Sequence, residues 1–213
     1  MRISVLTSSK AHPVSLYIRN WSREQGKAHE INIVYSQKEL SGGDILFLVS
    51  YSDMVLKKDR DKYRKTLVLH ASDLPNGRGW SPHVWELING KSEIIISLIE
   101  AEDQIDSGDI WKKIRVNIPR TALYNEINQL IFNAELELMS FAIFSLGKIN
   151  PIKQSDIGAS YWPKRSPSDS EIDINECLDK QFDLIRVCDP NRFPAFFYKD
   201  GKKFIIKIES ADE

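Results

Sequence analysis

The sequence predicts an α/β fold, a mostly parallel sheet flanked by helices with a small C-terminal β-containing extension. Three observations carry that prediction. Short apolar runs alternate with amphipathic stretches through the first half, the rhythm of strand–helix–strand units. The run after Asp44, Ile-Leu-Phe-Leu-Val-Ser-Tyr-Ser, is apolar at nearly every early position, as a strand covered on both faces requires. A long helical stripe follows, with Leu123, Ile127, Leu130, Ile131, Ala134, Leu138, Phe141 and Ala142 at helical spacing.

Taken in order, Ile3 to Leu6 reads as a buried strand and Val14 to Glu24 as a helix. Ile31 to Tyr35 is rich in β-branched residues and reads as a second strand. Gly42-Gly43 breaks the chain before the apolar run, and Val55 to Arg64 reads as a short charged helix. Thr66 to Leu69 is a strand ending at His70; Ser81 to Ile88 is a helix closed by Asn89-Gly90 in the manner of a left-handed cap. Ile94 to Ile99 is the next strand, Ile110 to Ile118 an extended segment, and Thr121 to Leu146 the longest helix, its stripe read as packing on the sheet. Beyond Asn150 the composition changes. Tyr161 to Pro167 is an aromatic, basic linker, and Asp200-Gly201 sits between alternating segments as a hairpin turn. Residues 1–150 therefore read as the core and 151–213 as the extension, whose exposed strand edges suggest a possible homodimer.

With 29 Lys+Arg against 30 Asp+Glu, the net charge is −1, which argues against long nucleic acid as partner. Apolar runs fall short of the roughly 20 residues of a membrane span, and MRISVLTSSK lacks a signal-peptide pattern, so a cytoplasmic location is expected. Cys177 and Cys188 make neither a disulfide scaffold nor a metal set. The phosphate-binding Gly-x-x-x-x-Gly-Lys and dinucleotide-binding Gly-x-Gly-x-x-Gly patterns are missing, which disfavours phosphoryl and hydride transfer.

Ligands of open α/β sheets bind beyond the carboxyl ends of strands. His70 ends one strand and Asp106 lies in the loop after another, within Glu102-Asp-Gln-Ile-Asp-Ser-Gly-Asp109. The run from His70 through Leu74-Pro75, Arg78-Gly79-Trp80-Ser81-Pro82 and Trp85 to Ile88-Asn89-Gly90, the Asp106-Ser107-Gly108 turn, and Tyr161-Trp-Pro-Lys-Arg-Ser-Pro167 followed by Ile172-Asp173 form three blocks. Together they resemble the 10-formyltetrahydrofolate-dependent formyltransferases, with a methionyl-tRNA formyltransferase-like core. The third block is similar to sugar N-formyltransferases, and the first to those placed in pseudaminic-acid-type pathways.

The resemblance implies a Rossmann-like fold and formyl transfer from 10-formyltetrahydrofolate to an amine. It makes His70 and Asp106 the catalytic pair, and places the folate against Ser52, Met54, Val55, Leu56, Glu102 and Asp103. Lys10, Arg78, Trp80, Ser81 and Tyr161 are implied to meet a nucleotide-linked amino sugar, with Trp162, Lys164 and Arg165 as further candidates. One position departs. Two residues before the histidine the family has Asn, whose amide would bond the formyl oxygen; here it is Val68, which cannot donate. Ser72, Asn76 and His83 are the nearby candidates to replace it.

The turn Leu6 to Pro13 contains no glycine for a phosphate cradle, which weakens a glycinamide ribonucleotide acceptor. The near-neutral charge and an end at residue 213 weaken a tRNA acceptor. A nucleotide-linked 4-amino-4,6-dideoxy sugar, for surface glycan, is the expected acceptor. A non-catalytic folate or nucleotide-sugar binding module, and transfer to an aminoacyl carrier or tRNA, are the alternatives.

Overall fold

In the computed structural model, which describes residues 1–211, the central sheet contains six strands. These are β1 (Arg2–Leu6), β2 (Glu30–Val34), β3 (Gly43–Leu48), β4 (Tyr63–His70), β6 (Glu93–Glu100) and β7 (Ile110–Asn117), in the order β2-β1-β3-β4-β6-β7. The first four pair in parallel; β6 and β7 reverse direction, each antiparallel to its neighbour. The helices are α1 (Val14–Gln25), α2 (Lys57–Arg60), α3 (Pro82–Ile88), α4 (Tyr124–Ser145) and α5 (Leu178–Val187). Two short strands, β5 (Arg78–Gly79) and β8 (Tyr161–Trp162), pair in parallel apart from the main sheet, and β9 (Ala195–Lys199) with β10 (Lys202–Ile206) forms the antiparallel hairpin.

The unbroken apolar character of β3 has the cause expected of it. Ile45 and Phe47 join one core cluster, which includes Trp21 of α1 and Leu138 of α4, while Leu46 and Leu48 join a second cluster with Leu6, Val34 and Val55. Successive side chains of a strand point to opposite faces, and both faces here are covered. At roughly 1.5–3 kcal/mol for each fully buried large aliphatic or aromatic side chain, this strand anchors both layers.

Two local expectations change. The helix read over Val55–Arg64 contracts to α2 because Tyr63 already belongs to β4, buried, its hydroxyl donating to Ser4 Oγ at 2.9 Å. The extension also holds a helix, α5, not anticipated from the sequence. Its fully buried Arg186 donates to the carbonyls of Pro119 (3.1 Å) and Ala122 (3.2 Å), which fastens the extension to the start of α4. No helix among the described residues is long and apolar enough to cross a membrane.

Candidate active site

His70 closes β4 with its side chain buried, and the chain then curls back over it. The imidazole Nε2–H donates to the Gly77 carbonyl at 2.8 Å, which fixes the tautomer and leaves Nδ1 as the nitrogen that can exchange a proton. Asp106 Oδ2 lies 3.5 Å from Nδ1 and accepts the Gly79 amide at 2.9 Å. The 77–79 turn thus touches both members of the pair and sets their separation. A spacing of 3.5 Å is long for a direct hydrogen bond and leaves room to tighten when a reactant binds.

Asp106 does not reach His70 as a neighbouring strand tip. Because β6 runs antiparallel to β4, its carboxyl end stops beside the lower half of β4, where the Ala101 amide bonds the Thr66 carbonyl at 2.8 Å. Thr66 precedes His70 by four residues, ~13 Å along a strand. The acidic loop must therefore double back. Asp106 turns in the left-handed region (φ 53°), and Gly108 packs so tightly that a Cβ there would lie 1.8 Å from the Glu100 carbonyl oxygen.

The segment before and within β8 holds this arrangement from outside. Ser160 accepts the Gly77 amide on Oγ (2.9 Å) and the Arg78 amide on its carbonyl (2.9 Å); Trp80 N–H donates to the Trp162 carbonyl (3.2 Å). Gln154 Nε2 donates to the carbonyls of Asp106 (3.0 Å) and Gly108 (2.7 Å). Both loops that carry the pair are thereby tied to one strap.

The pair opens onto a cavity of about 330 Å³. Of the residues expected at a folate, Ser52, Met54, Val55 and Glu102 line it. Leu56 does not; it precedes α2 and is exposed. Asp103 is turned to an ion pair with Arg60, whose guanidinium also donates to the Val55 carbonyl at 3.2 Å. Of those expected at a sugar nucleotide, Trp80 and Ser81 line the cavity. Arg78 is employed differently: it is 1% exposed, and its guanidinium is spent on Asp156 (3.1 Å), Tyr161 (3.2 Å) and Gln154 (3.2 Å), so it braces the strap and is not free for a diphosphate. Tyr161 is the other half of that brace, and Lys10 lies over the Tyr35 ring; neither lines the cavity. Trp162 stacks on Trp85, with ring centroids 5.8 Å apart. Arg165 lies over the same Trp85 ring.

Val68 lines the cavity, as does His83, whereas Ser72 and Asn76 do not. Burial lowers the His83 imidazole to about 4, with His70, Arg165 and His12 adding to the effect, so it is neutral at pH 7. Three further lining groups were not singled out from sequence: Arg60, His12 and Glu135. His12 is likewise held down to about 4, chiefly by burial. Glu135 carried one available signal, an acid set between Ala134 and Leu138 on an otherwise apolar helical face.

No protein-family model matches the chain. Among curated proteins, a methionyl-tRNA formyltransferase of Clostridium acetobutylicum is 29% identical over 187 residues, 86% of this chain and 59% of that protein. The bifunctional polymyxin resistance protein ArnA of Wigglesworthia glossinidia brevipalpis is 32% identical over 167 residues, 76% of this chain and 25% of that protein. Among solved structures, methionyl-tRNA formyltransferase from Clostridium thermocellum superposes with a TM-score of 0.84 at 23% identity, over 100% of this chain and 94% of the other. In sequence and in fold the chain is similar to formyltransferases. Two more of its fold neighbours differ in what they carry. HypX from Aquifex aeolicus, solved in complex with tetrahydrofolic acid, matches with a TM-score of 0.77 at 21% identity over 95% of this chain and 36% of its own. A sugar N-formyltransferase from a Shewanella species matches at 0.73 and 16% identity over 100% and 99%. The chain spans 59%, 25% and 54% of the length of the first three curated relatives it matches.

Proposed function

We propose that this chain transfers the formyl group of 10-formyltetrahydrofolate to the amine of a nucleotide-linked amino-deoxy sugar, with residues 1–150 as catalytic core and 151–213 as the extension that braces it. The observation that carries the transfer is the meeting of His70 and Asp106 over one cavity, both bonded to the 77–79 turn.

The cavity suits a flat heterocycle with a polar edge. Its volume falls in the range of small-molecule sites, and the aliphatic side chains of Met54, Val55, Val68, Ile99 and Ile105 line it beside the backbone of the two loops. A folate bound there would be held by Ser52, Met54, Val55 and Glu102 and would supply a formyl group on nitrogen. The tetrahydrofolic acid in HypX, a fold neighbour, supports that choice of ligand.

The chain's own groups then divide the work. Nδ1 of His70, when it carries a proton, is a donor close to where negative charge develops on the formyl oxygen, and a donor so placed lowers the barrier because it needs no reorganisation. Asp106, fixed by the Gly79 amide, keeps the imidazole oriented, accepts the proton that the attacking amine must lose and passes it to the folate nitrogen as that nitrogen's bond to the formyl carbon breaks. Val68 leaves a gap in the donor set. His83 fills it in this reading, since it lines the cavity and neither Ser72 nor Asn76 does.

The sugar acceptor is supported by the third sequence block and by Trp80 and Ser81 on the cavity wall, and sugar N-formyltransferases occur among the fold neighbours. An aminoacyl-tRNA acceptor is favoured by a different fact, that the first curated relative is a methionyl-tRNA formyltransferase. Incubation with 10-formyltetrahydrofolate and a panel of nucleotide-linked 4-amino-4,6-dideoxy sugars, aminoacyl carriers and methionyl-tRNA decides between them. Mass gain of one formyl group on a sugar is the expected result. Gain on the tRNA alone overturns the sugar acceptor, and folate binding without amine-dependent release of tetrahydrofolate identifies a binding module instead.

A further inference from the structure

Glu135 sits in the middle of α4, 5% exposed, on the wall of the cavity. Its Oε2 is buried and has no hydrogen-bond partner among the described residues, and the same holds for Nδ1 of His83 on the same cavity. Buried polar atoms are almost always paired, and an unpaired one costs about 1–3 kcal/mol, more when charged. A helix that needed only to pack would carry an aliphatic residue at this position, as Ala134, Leu138 and Ala142 do around it. Nothing in the scheme above uses this carboxyl. The folate groups come from the loops after β3 and β6, whereas Glu135, His83 and His12 come from α4, α3 and the loop before α1. Phe132, one helical turn before Glu135, meets the His12 ring at a centroid distance of 6.3 Å, so α4 and that loop share one wall.

We propose that Glu135 is a further catalytic residue, which receives the acceptor as its ammonium ion, takes one proton from it and releases the free amine toward the formyl carbon. This rests on the formyl-transfer reading and extends it to the amine side of the cavity. In the step an N–H bond breaks, an O–H bond forms on the carboxylate, and the nitrogen recovers the lone pair with which it attacks. The second amine proton passes after attack through Asp106 to the folate nitrogen, whose bond to the formyl carbon breaks, and Glu135 returns its own to water when product departs. In water a carboxylate is a poor base for this purpose, about six pH units below an alkylammonium. Burial pushes the Glu135 carboxyl up to about 8, which narrows the gap to an alkylammonium to about two; the acid is mostly protonated at neutral pH, and the minority carboxylate form is the one that receives the ammonium. His83 and His12, neutral beside it, add no positive charge that would oppose entry of an ammonium.

The test compares methylamine, which enters as an ammonium ion, with hydroxylamine, which is already unprotonated at neutral pH. Formyl transfer from 10-formyltetrahydrofolate to each is followed by mass spectrometry for the wild type and Glu135→Gln, with tetrahydrofolate binding measured alongside. The expected result is a loss of about 100-fold or more with methylamine in the variant, while hydroxylamine restores transfer and folate binding is kept. Equal loss with both amines makes Glu135 a structural residue and overturns the inference, as does no loss with either. If the wild type formylates neither amine, nor any member of the acceptor panel, the transferase reading itself falls and this inference with it.

Discussion

The Gly79 amide donates to Asp106 at 2.9 Å while Gly77, two residues earlier, accepts from His70 at 2.8 Å, so one turn holds both ends of the proposed catalytic pair. The backbone amide of Gly79 can only donate, so it occupies a lone pair of Asp106 Oδ2 and fixes the orientation of the carboxyl proposed as proton acceptor. Asp106→Asn replaces an acceptor by an amide of the same shape. It is expected to lower turnover by about a hundred- to ten-thousand-fold while sparing tetrahydrofolate binding, since the new side chain keeps the shape of the cavity wall. Steady-state rates together with calorimetric folate titration check it, and unchanged turnover removes Asp106 from the mechanism.

The turn owes its shape to close backbone packing. Gly79 has φ +99°, and a Cβ there would stand 2.4 Å from the Trp162 carbonyl oxygen, which is backbone and cannot swing away. Gly79→Ala should therefore displace β5 from β8, with strain of order 1–3 kcal/mol. For a chain of this size that corresponds to a fall in melting temperature of several degrees, readable by differential scanning calorimetry. Turnover should fall further than this instability explains, because the donor to Asp106 moves with the turn.

Ser160→Ala tests the strap more gently. It removes the Oγ that accepts the Gly77 amide but leaves the two backbone bonds of β8 in place. A part-buried donor loses its partner, at a cost of about 1–3 kcal/mol in stability. If the strap positions His70 through Gly77, kcat falls while the KM for folate stays near the wild-type value. Equal changes in both parameters would assign Ser160 to folate binding instead.

Much of the fold is legible in the sequence because burial on two faces leaves a plain mark: β1, β3 and β4 are written as apolar runs. The reversal of β6 leaves none. Ile94 to Ile99 looks the same whichever way the strand runs, so the distance that the Asp106 loop must travel back could not be read. Arg78 misled for a related reason. Its charge fits a diphosphate, but the partners that use it up, Gln154, Asp156 and Tyr161, are more than 75 residues away in the chain. The helix α5 was hidden because Cys177 gives it no side-chain cap, and Glu135 was hidden because its neighbours on α4 are rightly read as core.

The gap left by Val68 has its own consequence. If His83 replaces the missing donor, His83→Phe should reduce transfer by roughly two to three orders of magnitude, the usual effect of losing one such group. Placing the family's residue back with Val68→Asn should then recover most of the loss in the double variant. The coupling is read from a double-mutant cycle on kcat. Independent effects of the two substitutions would mean that His83 does not stand in for the amide.

Stability should also report the buried acid. A carboxyl raised to about 8 stays protonated in the folded protein where the unfolded chain has already lost its proton, so the folded state binds more protons between about 4.5 and 8 and stability falls with rising pH across that window. His83 and His12, lowered to about 4 from 6.5, act oppositely: the unfolded chain binds more protons between 4 and 6.5, and stability rises with pH there. Below 6.5 the two histidines outweigh the single carboxyl and stability rises with pH, whereas from 6.5 to 8, of these three groups, only the loss due to Glu135 remains. Glu135→Gln, which cannot ionise, should therefore flatten the melting temperature between these upper pH values, while the unfolding free energy of the wild type declines by up to about 2 kcal/mol. Thermal unfolding of both proteins at half-unit pH steps measures this directly; parallel curves would show that the carboxyl is ionised in the folded protein at neutral pH.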